Sequence, residues 1–591
     1  MNFLALILVF LTSRCLFSVA ALLLPLVNIT DHLYSSYDYI IVGGGVSGLV
    51  VANRLSENSS VTVLVLEAGE LDNSEDRITV PGLVGHGYNP AYDWNLTTVP
   101  QEFLDNNSRP YCQGHVLGGS SILNGLVTTR GSSAKYDAWE ALGNPGWGWR
   151  GLLPYFKKSE NFTTVVDREA ESSLHIQPEL SQHGFSGPLQ VGYPRYFYNQ
   201  SSNFLRGISE LGVPILNDPN AGTSAGGMMV PSSVSAMNQS RMDSRRAYLD
   251  GVMERPNLHV ASGQTVARIM IKTSSNHQVP PFGSRKRAYG VENATCTREV
   301  ILAVGGILSP VLLQVSGIGP APLLRELNVS VEVDLPGVGH NLQDHAMVGA
   351  FYDYTQPGLF STRNLTGDVL QQAQEEYSTN RTGPLTPPLI STVAFPSLRS
   401  LTNNWSSIMQ SINSTKPEQY LPPGPGRHPH LIAGFGRQRE LLLELLDRTD
   451  VGVLEILADS IGTLTVAIQR PFSRGSVHAT SSDLLVNNAS LASSDSITDR
   501  NESALLEAIH QNLATEFHPC GTTAMLPFEL GGVVDSHLVV YGTDNLRVVD
   551  AGIMPIIPAA HLQAAVYAVA EKAAHIITED NSALGHRGPD A

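Results

Sequence analysis

Residues 43–48, Gly-Gly-Gly-Val-Ser-Gly, form the G-x-G-x-x-G pattern that binds the pyrophosphate of a dinucleotide. Gly43 allows a tight turn, Gly45 lets the backbone approach the pyrophosphate, and Gly48 lets a helix pack closely on a strand. The free N–H groups and the positive dipole end of that helix favour phosphate. Glu67, 24 residues after Gly43, is placed to accept hydrogen bonds from ribose hydroxyls. The pattern does not distinguish NAD from FAD.

The residues around this pattern follow the order strand, helix, strand. Residues 37–42 predict a short buried strand, the stretch LVVANRLSE predicts a helix, and residues 61–66 predict a second strand that ends on Glu67. The whole unit spans about 30 residues, as a dinucleotide fingerprint requires. We therefore expect an α/β nucleotide-binding unit, and a glycine-rich turn in an ordinary α/β domain is the alternative.

The composition excludes several classes of protein. The chain has 591 residues, of which 54 are acidic and 37 basic, for a formal net charge of −17. The apolar fraction of 42% is ample for a large core, and the charged fraction of 15% argues against wholesale disorder. A net negative charge argues against nucleic acid as a partner, because phosphate binding needs clustered Lys and Arg. We expect one large or two interlocked domains.

The first 20 residues have the character of a secretory signal peptide. An apolar run at residues 3–11 is followed by Arg14 and a second apolar run, and Ser18-Val19-Ala20 resembles a cleavage site. Arg14 interrupts the run before it reaches the about 20 apolar residues that a membrane span needs. We expect a signal peptide at residues 1–20, with an uncleaved anchor as the alternative, and no later membrane span.

Glycosylation motifs support export. The sequence holds 15 N-x-[ST] sequons in which x is not Pro, whereas its composition gives roughly five by chance. Crowding of Asn, Ser and Thr in loops explains part of this excess. The sequons begin at Asn28, Asn58, Asn95, Asn106, Asn161, Asn199, Asn238, Asn293, Asn328, Asn364, Asn380, Asn404, Asn413, Asn488 and Asn501. We expect a protein of the secretory lumen or the exterior that carries N-glycans.

Several long motifs, in one order, resemble those of the glucose–methanol–choline (GMC) flavoprotein oxidoreductases. They cover nearly all of the chain after Tyr37: VGGGVSGLVVANRLSE with LVLEAGE, DWNLTTVP, GHVLGGSSILNGLVTTRG, GGILSPVLLQVSGIGP, LPGVGHNLQDH, PFSRGSV, TEFHPCGTTAM and LRVVDAGIMPIIPAAHLQAAVYAVAEKAA. The resemblance implies an α/β fold in which a Rossmann-type FAD-binding domain is interleaved with an α+β substrate-binding domain. In the second domain, helices cover an antiparallel sheet.

The resemblance also implies boundaries along the chain. Residues 37–345 correspond to the N-terminal region of the family, which mainly binds FAD. Residues 346–510 are mainly substrate-binding with variable loops, in agreement with their richness in Pro, Gly, Ser, Thr and Asn between about 355 and 450. Residues 511–580 correspond to the C-terminal FAD-binding and active-site segment.

Some positions depart from the family pattern. Gly306 stands where Ala is usual, His115 where Arg or Lys is usual, and Thr128 where an aromatic residue is usual. The interval between Arg474 and His518 looks shorter than in the family, which normally places a strand and a helical segment there. An inactive product with a shortened segment is therefore one interpretation of the sequence.

Two histidines match the catalytic residues of the family. Oxidation of an alcohol by flavin needs a base for the hydroxyl proton and transfer of a hydride from carbon to flavin N5, and His suits the first task near neutral pH. His518 matches the base, and His561 matches the residue that hydrogen-bonds the substrate oxygen. His345 lies in a family block but is not expected to be catalytic. The resemblance is closest to fungal members that act on aryl or polyketide-derived alcohols in secondary metabolism.

FAD is the implied cofactor, and no metal is expected. Asn124 stands where some members carry a flavin-linking His, so the resemblance implies that FAD is bound non-covalently. The residues expected to contact it are Gly43, Gly45, Val46, Ser47, Gly48, Glu67, Ala68, Trp94, Asn124, Gly125, Leu126, Val127, Val266, Asp550, Ala551, Leu562 and Gln563.

Other functions stay open at this stage. The preferred reaction converts a primary alcohol to an aldehyde, with oxygen or another acceptor taking the electrons. The family also contains members that keep FAD but catalyse non-redox chemistry, including a cyclase of polyketide biosynthesis and a hydroxynitrile lyase. The same histidine pair serves acid–base chemistry in either case, so the motifs do not choose between them. The sequence names neither the substrate nor the oligomeric state.

Overall fold

A computed structural model describes residues 33–585 except 86, 88, 165–167, 279–283, 353–357, 482–488 and 491–502. The predicted signal peptide lies outside these residues. None of the helices in the described part of the chain is long and apolar enough to cross a membrane. Two large sheets organise the described residues, and each is built from segments distant in sequence.

The first sheet, called here the parallel sheet, is built around the strand Ser36–Val42. This strand pairs in parallel with Val63–Leu66 on one side and with Ala294–Leu302 on the other. Its side chains are almost entirely buried, as in sheets that are covered on both faces. The strand order is Leu258–Ala261, Val63–Leu66, Ser36–Val42, Ala294–Leu302, Ser284–Val291 and Met270–Gln278, and Leu546–Val548 also pairs in parallel with Ala294–Leu302.

Helix Val46–Leu55 joins the first two parallel strands, so the predicted strand–helix–strand unit is confirmed. This helix packs against the C-terminal helix Gln563–Gly585. Between them, the buried carboxylate of Glu571 accepts hydrogen bonds from Arg54 Nε at 2.9 Å and from the Tyr248 hydroxyl at 3.0 Å. The two ends of the chain are therefore held together by both apolar packing and a buried ion pair.

The second sheet, called here the antiparallel sheet, has six strands. Helix Asn199–Glu210 packs against three of them. The strand order is Ala514–Thr515, Ala346–Phe351, Thr463–Ile468, Leu454–Asp459, Ile390–Ala394 and Gly227–Met229. Because its strands come from all three predicted regions of the sequence, the α/β fold with interleaved domains is confirmed.

The remaining helices lie around the two sheets. They are Asp76–Thr79, Ser133–Ala141, Trp149–Ser159, Arg168–Ser173, Ser244–Tyr248, Gly305–Val315, Ala321–Glu326, Gly367–Asn380, Leu398–Leu401, Trp405–Ser414, Pro429–Asp447 and Ser503–Asn512.

The interval between Arg474 and His518 bears on one expectation. It contains the short strand Ala489–Ser490, which pairs with Ser476–Val477, and the helix Ser503–Asn512. A strand and a helical segment are therefore present in this interval, although it looks shorter than in the family. Near this helix, Arg109 donates hydrogen bonds to the carbonyls of His510 and Leu513, so the segment is tied to the rest of the protein.

Candidate active site

The glycine loop, residues 43–48, lies at the carboxyl end of strand Ser36–Val42 and has open space beside Gly45. Gly43 has φ +104°, a conformation that side chains rarely adopt. A Cβ added to Gly48 would lie 1.8 Å from the Gly43 carbonyl oxygen, so the helix rests directly on the turn. At Gly45 the nearest atom to an added Cβ is Cα of Gly119, at 3.7 Å. These positions agree with the three glycine roles predicted from the sequence.

The start of helix Val46–Leu55 fits a phosphate. The first N–H groups of a helix have no intrahelical partner. Gly45, which precedes this helix, has no side chain that could cap them. The buried hydroxyl of Ser47 has no hydrogen-bond partner among the described residues. Free N–H groups, a positive dipole end and an unpaired hydroxyl beside open space are what the pyrophosphate of FAD requires.

The acidic end of the fingerprint lies beside this loop. Glu67 directly follows the strand Val63–Leu66, and its carboxylate accepts hydrogen bonds from Gly44 N at 2.7 Å and Gly69 N at 2.8 Å. Burial raises the pKa of Glu67 to about 7. Ala68 is half-buried next to it. Val266 is half-buried on the same side, where Gln264 N donates to the Glu67 carbonyl at 2.8 Å.

Trp94 lies near the same end of the parallel sheet. The ring centroid of Trp94 is 4.3 Å from that of His115, and the backbone N–H of Trp94 donates to the Gln113 carbonyl at 2.9 Å. The Gln113 side chain in turn donates to the carbonyl of Val304, which precedes helix Gly305–Val315. The structure therefore brings Trp94 to the edge where the parallel strands end.

Residues 124–127 form a hydrogen-bonded unit with Gln563. Asn124 Nδ2 donates to Gln563 Oε1 at 3.0 Å, and Gln563 Nε2 donates to the Val127 carbonyl at 2.6 Å. Leu126 has φ +69°, and nothing lies within 4 Å of a Cβ added to Gly125, so this backbone faces open space. The arrangement fits the predicted cofactor contacts and joins them to the C-terminal segment, where Leu562 is buried.

The carboxylate of Asp550 is hydrogen-bonded to other residues of the protein. Its Oδ2 accepts hydrogen bonds from Gly305 N at 3.0 Å and from the Ser309 hydroxyl at 2.5 Å, and its Oδ1 accepts one from Gly552 N at 2.8 Å. The side chain thus fixes the C-terminal segment, including the half-buried Ala551, against helix Gly305–Val315.

His518 and His561 meet although they lie 43 residues apart in the sequence. Their ring centroids are 5.2 Å apart, and the rings are nearly perpendicular, at 86°. His561 precedes the C-terminal helix, which begins at Gln563. The backbone N–H of His561 donates to Thr129 Oγ1 at 3.0 Å, which holds it beside residues 124–127.

A buried carboxylate that sequence analysis missed faces His561. Glu455, on strand Leu454–Asp459, places Oε1 3.0 Å from His561 Nε2, and its Oε2 accepts a hydrogen bond from Gln469 at 2.8 Å. Burial alone would lower the pKa of His561, but the Glu455 carboxylate outweighs it and raises this pKa to about 9. His561 is therefore an imidazolium at neutral pH. A single Glu inside the apolar stretch LEILAD was the signal in the sequence.

Two further residues contact His518 from its other side. His345 Nδ1 lies 3.0 Å from His518 Nδ1, and Glu516 Oε2 lies 3.4 Å from the same atom. His345 was not expected to be catalytic and Glu516 was not singled out, yet both are in direct contact with the predicted base. Glu516 lies two residues before His518, a spacing that could have drawn attention to it.

Asp344 holds this group in place. Its Oδ1 accepts hydrogen bonds from the backbone N–H of His345 at 2.8 Å and of His518 at 2.9 Å. Its Oδ2 accepts from the Tyr111 hydroxyl at 2.5 Å and from Thr515 Oγ1. The carboxylate therefore ties the end of the motif LPGVGHNLQDH to the segment that carries His518.

The departure at Gly306 has a steric reason. A Cβ at this position would lie 2.6 Å from the Pro519 carbonyl oxygen, directly after His518. The Gly306 carbonyl also accepts a hydrogen bond from Thr522 Oγ1. Helix Gly305–Val315 thus approaches the His518 segment more closely than an Ala would allow.

Comparison with known proteins agrees with this arrangement. The family model described as GMC oxidoreductase matches residues 37–347 with its N-terminal part and 482–570 with its C-terminal part. The dehydrogenase xptC of Emericella nidulans is 34% identical and covers 93% of this chain and 94% of its own. The similarity therefore extends over nearly the whole length of both proteins.

Two solved structures are also similar. An FAD-dependent oxidoreductase from Chaetomium thermophilum has a TM-score of 0.84 and 32% identity, covering 92% of this chain and 100% of its own. A fungal aryl-alcohol oxidase has a TM-score of 0.81 and 29% identity, covering 93% and 100%.

Alanine substitutions at two glycines should separate cofactor binding from folding. In Gly48→Ala the new Cβ meets the Gly43 carbonyl, and we expect a loss of about 3 kcal/mol or more in the free energy of unfolding. In Gly45→Ala the new Cβ enters the open space, so we expect a normally folded apoprotein that binds FAD at least about 10-fold more weakly. FAD titration and thermal unfolding of the apoproteins measure both effects, and unchanged FAD affinity in Gly45→Ala would contradict the assignment.

The contact between His561 and Glu455 should make stability depend on pH. Because the pKa of His561 is raised from 6.5 to about 9, the contact stabilises the fold fully below pH 6.5 and ceases to do so as the pH rises through 9. We expect Glu455→Gln to lower the free energy of unfolding by about 3 kcal/mol at pH 6, and the difference from wild type to shrink towards zero at pH 10. Denaturant unfolding across this range, with the exposed Glu444→Gln as control, measures it; a constant difference would count against the pairing.

Proposed function

Because the chain belongs to the GMC oxidoreductase family, we propose that it uses FAD to oxidise a primary aryl or polyketide-derived alcohol to an aldehyde. The observation that carries this proposal is the meeting of His518 and His561, at 5.2 Å between ring centroids, beside residues 124–127 and Gln563. The glycine loop and residues 124–127 would hold FAD non-covalently, and FAD would there supply the acceptor for a hydride.

His518 takes the proton of the substrate hydroxyl. Its Nδ1 is engaged by His345 and Glu516, so Nε2 is the nitrogen left for the substrate. The contact between the two rings places His518 next to His561, so the base lies beside the hydroxyl whose proton it takes.

His561 binds the substrate oxygen. Its Nε2 faces Glu455 at 3.0 Å, so Nδ1 is the atom left to donate a hydrogen bond to the alcohol. A fixed positive charge at this place stabilises the negative charge that develops on oxygen while its proton leaves. The buried Glu455 maintains that charge, and Gln469 holds Glu455 in position.

The sheet behind these residues is apolar. Glu455 pairs with Ala467, and Ala467 pairs with Met347, so these three residues share one face of the antiparallel sheet. On this face lies a buried apolar cluster of Val127, Met228, Val230, Val393, Phe395, Leu457 and Ala467, which lowers the dielectric around the Glu455–His561 pair. The choice of an aryl substrate is supported by the similarity to a fungal aryl-alcohol oxidase.

The alternative is a cyclase or lyase that retains FAD without using its redox chemistry. His518 as base and the charged His561 as acid form the pair that such a reaction needs. Turnover of a substrate without reduction of the flavin would favour this alternative.

Anaerobic reduction of the flavin by an alcohol tests the proposal. Mixing the holoenzyme with aryl alcohols should bleach the flavin absorbance, and oxygen should restore it if oxygen is the acceptor. His518→Asn removes the base, so we expect the bleaching rate to fall by about 1,000-fold while the FAD content stays normal. The exposed His537→Asn serves as control and should behave as wild type. Bound flavin that none of the alcohols reduces would argue against an alcohol oxidase or dehydrogenase.

We also propose that the protein enters the secretory pathway and carries N-glycans. Of the 12 sequon asparagines whose side chains the structure describes, 11 are exposed and Asn161 is half-buried. Exposed sequons in loops and at helix ends are the positions that a glycosylating enzyme can reach.

Secretion from a eukaryotic host tests this proposal. Treatment with a glycan-cleaving amidase should lower the apparent mass, and Asn95→Gln should lower it by one glycan, whereas the half-buried Asn161→Gln should change it less or not at all. N-terminal sequencing of the secreted protein should start after residue 20. An unglycosylated protein retained in the cytosol would contradict the proposal.

A further inference from the structure

Three polar atoms form a small triangle behind the predicted base. His518 Nδ1 and His345 Nδ1 are 3.0 Å apart, and Glu516 Oε2 lies 3.4 Å from the first and 3.3 Å from the second. The side chains of His345 and Glu516 are 0% and 4% exposed, and that of His518 is 14% exposed. Only His518 therefore faces the space where a substrate would bind.

The number of protons in this triangle is restricted. Burial lowers the pKa of His345 to about 4, so its ring is neutral at pH 7. Burial raises the pKa of Glu516, but its contacts with His345 and His518 outweigh burial and hold this pKa well below its usual range. When both rings are neutral, one Nδ1 must donate and the other accept, because two lone pairs or two N–H groups at 3.0 Å would repel.

The charge of His561 decides which ring carries that proton. His561 is an imidazolium and lies against His518, with ring centroids 5.2 Å apart. A positive neighbour favours a lone pair over an N–H on the remaining nitrogen of His518, which is Nε2. The proton of His518 then sits on Nδ1, where Glu516 and His345 accept from it. Nε2 of His345 then carries the proton of that ring. It is a buried donor without an acceptor among the described residues, which costs free energy.

We propose that Glu516 and His345 are positioning residues that hold the proton of His518 on Nδ1, so that Nε2 presents a lone pair to the substrate hydroxyl. Glu516 also balances the positive charge that His518 gains when it takes the hydroxyl proton. The inference rests on the proposed function of the site. In the reaction, the alcohol loses one proton to Nε2 and one hydride to FAD, and nothing is transferred to Glu516.

A metal ion is the competing explanation of the triangle. Its edges of 3.0, 3.3 and 3.4 Å resemble the spacing of about 3.3 Å between ligands of tetrahedral zinc. Both arrangements leave Nε2 of His345 without an acceptor among the described residues, so the metal content of the purified holoenzyme is measured directly.

Replacement of Glu516 tests the inference in the FAD-loaded enzyme. Glu516→Gln keeps the shape but removes the charge, and its amide can donate to Nδ1 and so reverse the tautomer of His518. We expect flavin reduction by the alcohol to slow by about 100-fold, with little change in the substrate concentration that half-saturates it. The pH dependence of this rate should also change, because the buried negative charge beside His518 Nδ1 is removed. Glu516→Asp should keep the wild-type pH dependence, and the exposed Glu507→Gln should match wild type.

Nitrogen NMR of the histidine-labelled holoenzyme supplies a readout that needs no alcohol. The His518 signals, assigned by their loss in His518→Asn, should show a protonated Nδ1 and a bare Nε2 in the wild type, and the reverse in Glu516→Gln. If Glu516→Gln fails to fold, the wild type and Glu516→Asp still decide the tautomer.

Three results would overturn the inference: a protonated Nε2 in the wild type at pH 7, an unchanged pH profile in folded Glu516→Gln, or one equivalent of bound metal in the purified holoenzyme. The expected tautomer without any flavin reduction would instead count against the proposed function alone.

Discussion

The strand Ala294–Leu302 lies between Ser36–Val42 and Leu546–Val548 and pairs in parallel with both. Because the three strands run in one direction, their carboxyl ends meet at one edge of the sheet. The glycine loop follows the first strand, helix Gly305–Val315 follows the second, and Asp550 follows the third and accepts a hydrogen bond from Gly305 N at 3.0 Å. Residues separated by some 500 positions come together through this pairing, which positions the glycine loop, helix Gly305–Val315 and Asp550 relative to one another.

The antiparallel sheet contributes charge as well as a wall. His561 receives its counter-charge from Glu455 on the antiparallel sheet, whereas the ring of His518 contacts the carboxylate of Glu516, two residues away on its own segment. Both carboxylates are buried, so each acts through a low dielectric and on one ring in particular. Gln469 joins them, since its side chain donates to Glu455 at 2.8 Å and approaches Glu516 at 3.4 Å.

Sequence analysis predicted those parts of the site that lie within a continuous motif of the sequence. The glycine loop with Glu67 has a fixed spacing, and His518 and His561 lie inside long motifs, so their roles could be inferred before their positions were known. Glu455 could not be found in this way, because its contact with His561 depends on strand register, which pairs it with Ala467, and on how the two sheets face each other. His345 was set aside for the same reason: its contact with His518 joins two segments 173 residues apart.

The packing of the C-terminal helix Gln563–Gly585 against Val46–Leu55 has a consequence for biosynthesis. A nascent chain that has not yet reached residue 546 lacks one parallel strand, the Asp550 clamp, His561 and the helix that covers the fingerprint. Helix Val46–Leu55 is synthesised early, but it gains its packing partner only when helix Gln563–Gly585 has been made. We therefore expect the cofactor to bind only after the C-terminal helix has been synthesised.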